Sequence, residues 1–131
     1  MPLTPKTAYQ WLPGPVGTML RTSSLATTAR IPLTGTLVIT TGHVGVDLST
    51  GELVTSSLDA EFNAIFDCLE AALRNSGVRQ GLAGAHKVVA YFTQAEYEGV
   101  MLGIFRKRYP NSTPTWTSVV VKALVNEGGS C

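Results

Sequence analysis

The sequence predicts an α+β domain: a single mixed β-sheet with two helices on one face. Three observations predict it. Short β-branched runs at Leu37–Thr41, Lys87–Thr93 and Thr115–Lys122 are interleaved with two longer segments of helical period, 59–76 and 95–108. Each helical segment carries one apolar stripe, so both can cover the same side of a sheet. Apolar residues in the strands face both ways, which leaves the second face to be buried by a partner subunit.

Along the chain, residues 1–24 are rich in Pro, Gly, Thr and Ser and show no sustained period. Leu12-Pro13-Gly14-Pro15 must be extended or turned, because proline fixes φ and restricts the residue before it. The segment reads as an arm lying on a domain of residues 25–131, with Tyr9, Trp11, Met19 and Leu20 as anchors; a free tail is the alternative. Leu37–Thr41, bounded by Gly35 and Gly42, reads as a buried strand. Val44-Gly45-Val46 and Glu52-Leu53-Val54 flank Asp47-Leu48-Ser49-Thr50-Gly51, which has turn chemistry.

Asp59 to Ser76 is the clearest helix. Phe62, Ile65, Phe66, Leu69 and Leu73 follow the spacing of one buried face. Ser56 or Ser57 can cap its start, Asp59 and Glu61 favour its positive end, and Gly77 can terminate it. Lys87–Thr93 is the next strand. A second helix over Ala95 to Arg108 places Tyr97, Val100, Met101, Ile104 and Phe105 on one face, and Thr115–Lys122 is the last strand.

Composition excludes several function classes. A chain of 131 residues with 44% apolar and 15% charged residues suits one well-filled domain rather than disorder. A net charge of +1 supplies no field for nucleic acid or an anionic membrane, and the run Arg106-Lys107-Arg108 fits the negative end of a helix. No segment approaches the roughly 20 apolar residues of a membrane span, and the first 15 residues lack a signal-peptide core. Cys68 lies inside a helical pattern and Cys131 is far from it, so a disulfide framework is not expected; the expected location is the cytoplasm. Asn111-Ser112-Thr113 reads as turn sequence.

Four segments, in order, resemble the RidA/YjgF family. Gly35-Thr-Leu-Val-Ile-Thr-Thr-Gly42-His43-Val-Gly-Val-Asp47 is similar to the family's G-x-x-[VI]-[FI]-x-S-G-Q-x-x-x-D segment, and Thr50–Val54 to the turn after it. Lys87–Thr93 resembles the third strand, and Pro114-Thr-Trp-Thr-Ser-Val-Val-Val121 the P-x-R-x-x-V-x-V strand. The resemblance covers Thr28 to about Leu124. It implies a chorismate-mutase-like fold, a homotrimer with clefts between subunits, and hydrolysis of enamines and imines without metal or organic cofactor. The implied partners are the chain itself and a small-molecule ligand, with neither nucleic acid nor membrane.

The chain departs from the pattern where that chemistry is done. The family's carboxylate-binding arginine is replaced by Trp116, whose indole has one neutral donor where a guanidinium has a charged fork. The glutamine after the motif glycine is His43, and Gly42 is kept. The last strand reads as cut short after Leu124; the water-positioning glutamate has no counterpart, and Glu127 stands in a Gly-rich stretch. The arm could fill the edge this leaves.

His43 is the candidate catalytic residue, since its pKa near 6.5 suits proton transfer; a structural interface histidine is the alternative. His86 reads as exposed, and no His, Cys or Asp spacing suggests a metal. Candidate substrate contacts are Gly42, Trp116, Tyr91, Ser118, Thr117 and Arg30. Trp116 either stacks on an aromatic ligand or plugs the cleft. Ser118, without an orienting His–acid pair, reads as a hydrogen-bonding group. Arg30 either supplies the lost anion contact or forms a surface ion pair. Three functions stay open: an isomerase, cyclase, dehydratase or hydratase acting on a neutral, aromatic-compatible metabolite; an imine deaminase with a relocated carboxylate contact; and a non-catalytic binding protein.

Overall fold

The computed structural model describes residues 6–32, 34–125 and 129–130. Its elements are β1 (Ala8–Gln10), α1 (Pro15–Thr22), β2 (Thr28–Arg30), α2 (Leu58–Asn75), a short 3-10 turn (Gly81–Gly84), β3 (Lys87–Phe92), α3 (Tyr97–Arg108) and β4 (Thr115–Val120). Helix α2 begins where the side chain of Ser57 accepts the N–H of Ala60 at 3.0 Å. It ends at Gly77, whose φ of 90° lets the N–H of Val78 turn back to the carbonyl of Leu73. Both helices lie within one residue or two of the ranges read from their apolar period.

Phe62, Ile65, Phe66 and Leu73 of α2 meet Met101 and Phe105 of α3 and Ala90 and Phe92 of β3 in one core, with Leu69, Tyr97, Val100 and Ile104 half-buried around it. Ring contacts link Phe66, Phe105 and Tyr109, edge-on from Phe66 to each of the others and tilted between Phe105 and Tyr109. Arg108 is more than a favourable charge at a helix end. It donates to the backbone and side-chain oxygens of Asn63 and to Asp67 at 2.8 Å, bolting α3 to α2.

The single mixed sheet is corrected to two small ones: β1 with β2 antiparallel, and β3 with β4 parallel through the α3 crossover. The strand expected at Leu37–Thr41 forms no ladder among the described residues, although side chains alternate there. Val38 packs on the core, while Leu37 and Ile39 stand 74% and 81% exposed. The alternation of a strand is kept there, with one row on the core and the other in water, but no neighbouring strand pairs with it among the described residues. The 44–54 hairpin does form, held by one bridge, Val46 to Leu53. Its turn has Asp47 accepting the N–H groups of Ser49 and Thr50, and Gly51 at φ 76°.

The segment before the domain carries regular structure of its own, β1 and α1. Pro15 sits at the first position of α1, where its missing N–H costs nothing, and Gly14 takes the positive φ before it. Trp11 is an anchor, donating to the carbonyl of Leu25 at 2.6 Å beneath the guanidinium of Arg21. Met19 is not, at 60% exposed. The arm does not line the edge of β4 among the described residues: β1 pairs with β2, and Tyr9 meets His86 at 2.7 Å. That contact half-buries His86, contrary to the exposed position expected for it.

Glu70 ties the 3-10 turn and the end of α3 to α2. It accepts from the N–H of Leu82 (2.8 Å), Nε of Arg74 (2.9 Å) and the hydroxyl of Tyr109 (3.0 Å). Burial pushes its carboxyl up, but these donors outweigh that and hold it below the usual carboxylate range. Burial, with Glu70 beside it, pushes the Tyr109 hydroxyl up to about 12. Because the Glu70 pKa is lower folded than unfolded, its stabilisation is present above the unfolded value near 4.5 and fades as pH falls through the folded value. Glu70→Gln is expected to cost about 1–3 kcal/mol at pH 7. Urea titrations at pH 7 and pH 3 check this, and the gap between variant and parent should narrow at the lower pH.

Candidate functional site

In a parallel pair, residues in register point to the same face, and successive residues alternate. Val88, Ala90 and Phe92 of β3 face the helices, so their partners Trp116, Ser118 and Val120 on β4 stand on that side too, with Val120 at the end of the strand still 54% exposed. Val89 and Tyr91 face away, with Thr117 and Val119 beside them. The predicted site residues of these strands therefore divide between two faces.

On the helix side, Trp116 packs edge-on against Phe105, ring centroids 5.4 Å apart, and its Nε1–H donates to the hydroxyl of Ser118 at 3.0 Å. The structure thus brings Trp116 and Ser118 together, and each uses a polar group on the other. On the open side, Tyr91 is 51% exposed, and Thr117 is exposed. With Val89, Val119, Leu37 and Ile39, Tyr91 belongs to the set of large apolar side chains left uncovered in one chain.

His43 follows the exposed Gly42 and is half-buried; among the described residues its ring makes no hydrogen bond or ion pair. Arg30, the last residue of β2, is exposed and has no ion-pair partner among them. No hydrogen bond joins His43, Arg30 and the β4 residues to one another among the described residues. An open groove of ≈390 Å³ between α2 and α3, beside Gly99 and Gly103, holds none of the predicted site residues.

One residue was missed. Glu61, read only as a favourable charge at a helix start, is 4% exposed. Its carboxylate accepts the N–H of Ser130 at 2.7 Å. Gly45, two residues after His43, lies so close that an added Cβ would stand 2.5 Å from the Glu61 carbonyl oxygen and 3.0 Å from its Cγ. Gly45 is thus the sequence signal of a close approach, though nothing in the sequence says to what. Glu127 lies outside the described residues, as does Cys131; Cys68 is buried, with its thiol toward the carbonyl of Val46. No helix among the described residues is long and apolar enough to cross a membrane, and no group of three His, Cys, Asp or Glu stands close enough there to hold a metal.

This arrangement is the fold of the Rid/YjgF proteins. A Rid-family protein from Yersinia pestis, YyfB, superposes with a TM-score of 0.78 over 95% of this chain and 92% of its own, at 15% identity. A Mycobacterium tuberculosis member of the YjgF/YER057c/UK114 family covers the same shares with a TM-score of 0.61 and 18% identity. The YjgF gene product of E. coli gives 0.59 and 18% over 70% of this chain and 71% of its own. No sequence-family model matches the chain. No curated protein matches it either.

Proposed function

We propose that the chain is a divergent Rid/YjgF-type enzyme, assembled as a homotrimer, that acts on a neutral small metabolite in a cleft between subunits. Ligands with an aromatic ring fit this reading, and the reaction class is an isomerisation, cyclisation, dehydration or hydration. His43 moves the proton; no cofactor is required. Gly42, Tyr91 and Thr117 supply contacts around it, while Ser118, on the helix side, holds Trp116.

The observation that carries this reading is the position of Trp116. Where an imine deaminase of this fold needs a bidentate cation, this chain has an indole packed on Phe105 with its N–H already donated to Ser118. Neither charge nor free donor is left for a carboxylate. His43 complements it: the ring is half-buried, and among the described residues neither of its nitrogens makes a hydrogen bond. The uncovered row of Val89, Tyr91 and Val119 supports self-assembly, and the exposed Leu37 and Ile39 add to the apolar surface that a monomer leaves in water.

A deaminase assay on the imine released from a small amino acid, run beside an arginine-bearing relative, tests the reading. The expected result is no acceleration over the uncatalysed rate by a folded, assembled sample. Turnover comparable to the relative's overturns it and favours a second reading, an imine deaminase whose carboxylate contact is Arg30. That guanidinium is exposed and without an ion-pair partner among the described residues. Under the second reading Arg30→Ala abolishes activity on anionic substrates alone.

A further inference from the structure

Backbone groups of a strand alternate in direction, so one residue bonds to the left neighbour and the next to the right. At the end of β3 the carbonyl of Phe92 accepts the N–H of Val121, on the β4 side. The N–H of Thr93 therefore points to the opposite edge, where it donates to the carbonyl of Ser130 at 3.1 Å. The other half of the same residue, the Ser130 N–H, donates to the Glu61 carboxylate at 2.7 Å. Both partners are far away in sequence. The bond to Glu61 runs to a carboxylate and is the shorter of the two, so it is the stronger.

Glu61 has a second neighbour. A Cβ added at Gly45 would stand 2.5 Å from the Glu61 carbonyl oxygen and 3.0 Å from its Cγ, so the segment Val44-Gly45-Val46 runs directly against Glu61. Gly45 is two residues from His43. We propose that Gly129–Ser130 is a main-chain strap that closes the free edge of β3 at Thr93 and, through Glu61 and Gly45, sets the position of the loop carrying His43. Glu61 is then a positioning residue, and the strap is a device by which whatever draws Ser130 away changes the surroundings of His43.

The strap works through the peptide group of Ser130, whose contacts with Glu61 and Thr93 are all made by its main chain. Ser130→Pro removes the donor and leaves Glu61 intact, whereas Ser130→Ala keeps it. Amide exchange at Thr93 and the ring resonances of His43 through a pH titration, read by NMR on the full chain, test the idea. Expected is a rise in Thr93 exchange of roughly tenfold or more in S130P, with displaced His43 resonances and S130A unchanged. Glu61→Gln, which keeps an acceptor and loses the charge, should raise Thr93 exchange by less. Unchanged Thr93 protection in S130P, or an equal effect of S130A, overturns the strap. Faster Thr93 exchange with His43 resonances unmoved overturns the coupling. None of these readouts is turnover, so their failure leaves the proposed function standing.

Discussion

Phe105→Ala is expected to destabilise the fold by about 3–5 kcal/mol, the usual cost of removing a fully buried ring. Phe105 is 1% exposed and touches three other rings: Phe66 on α2, Tyr109 after α3 and Trp116 on β4. The cavity cannot collapse easily, because α3 is pinned by Arg108 to Asn63 and Asp67 and Tyr109 is held by Glu70. In a thermal melt this corresponds to a drop of roughly 10–15 °C for a domain of this size. Trp116 fluorescence should change with it, since one wall of the indole's surroundings is gone. Phe105→Leu, which keeps most of the volume, should lose less than half as much. If F105A melts within a few degrees of the parent, the contact between α3 and β4 is not what fixes Trp116.

That test bears on how much could be read from the sequence. The two long helices were legible because both are amphipathic and buried on one stripe, and a period of 3.6 survives any detail of packing. β3 and β4 were legible as β-branched runs bounded by Gly, His or Pro. The division of their side chains between two faces was equally present in the period of two, yet Trp116, Ser118, Tyr91 and Thr117 read as one cluster until the register Val88 to Trp116 fixed which row faces the helices. Helix α1 was hidden by its own composition: Pro13, Gly14, Pro15 and Gly17 look like loop, and only the position of Pro15 at the first turn makes a helix possible. Leu37–Thr41 shows the opposite error. Its composition is that of a buried strand, but burial depends on what lies against it, and among the described residues Leu37 and Ile39 stand in water. Glu61 was beyond reach for a third reason, because the group it binds is 69 residues away along the chain.

The uncovered row also carries the second large expected effect. If the open face of β3 and β4 is the surface on which the proposed trimer closes, then Val119→Asp places a carboxylate there without touching the core. Val119 is 38% exposed and points away from the helices, beside Tyr91 in register. In the monomer the new charge stays in water and costs little. In an assembled face it must be stripped of water, and the cation on its own row, Lys87, lies four residues before Tyr91 along β3. An unpaired charge in such a place costs several kcal/mol per subunit, enough to convert a stable assembly to monomers at micromolar concentration. Sedimentation velocity is expected to show the parent as a trimer and V119D as a monomer, with the helical signal in circular dichroism retained. Because the proposed cleft lies between subunits, V119D should also lose ligand binding while His43 and Gly42 remain in place. A parent that sediments as a monomer removes the cleft, and His43 must then act, if it acts, from the surface of a single chain.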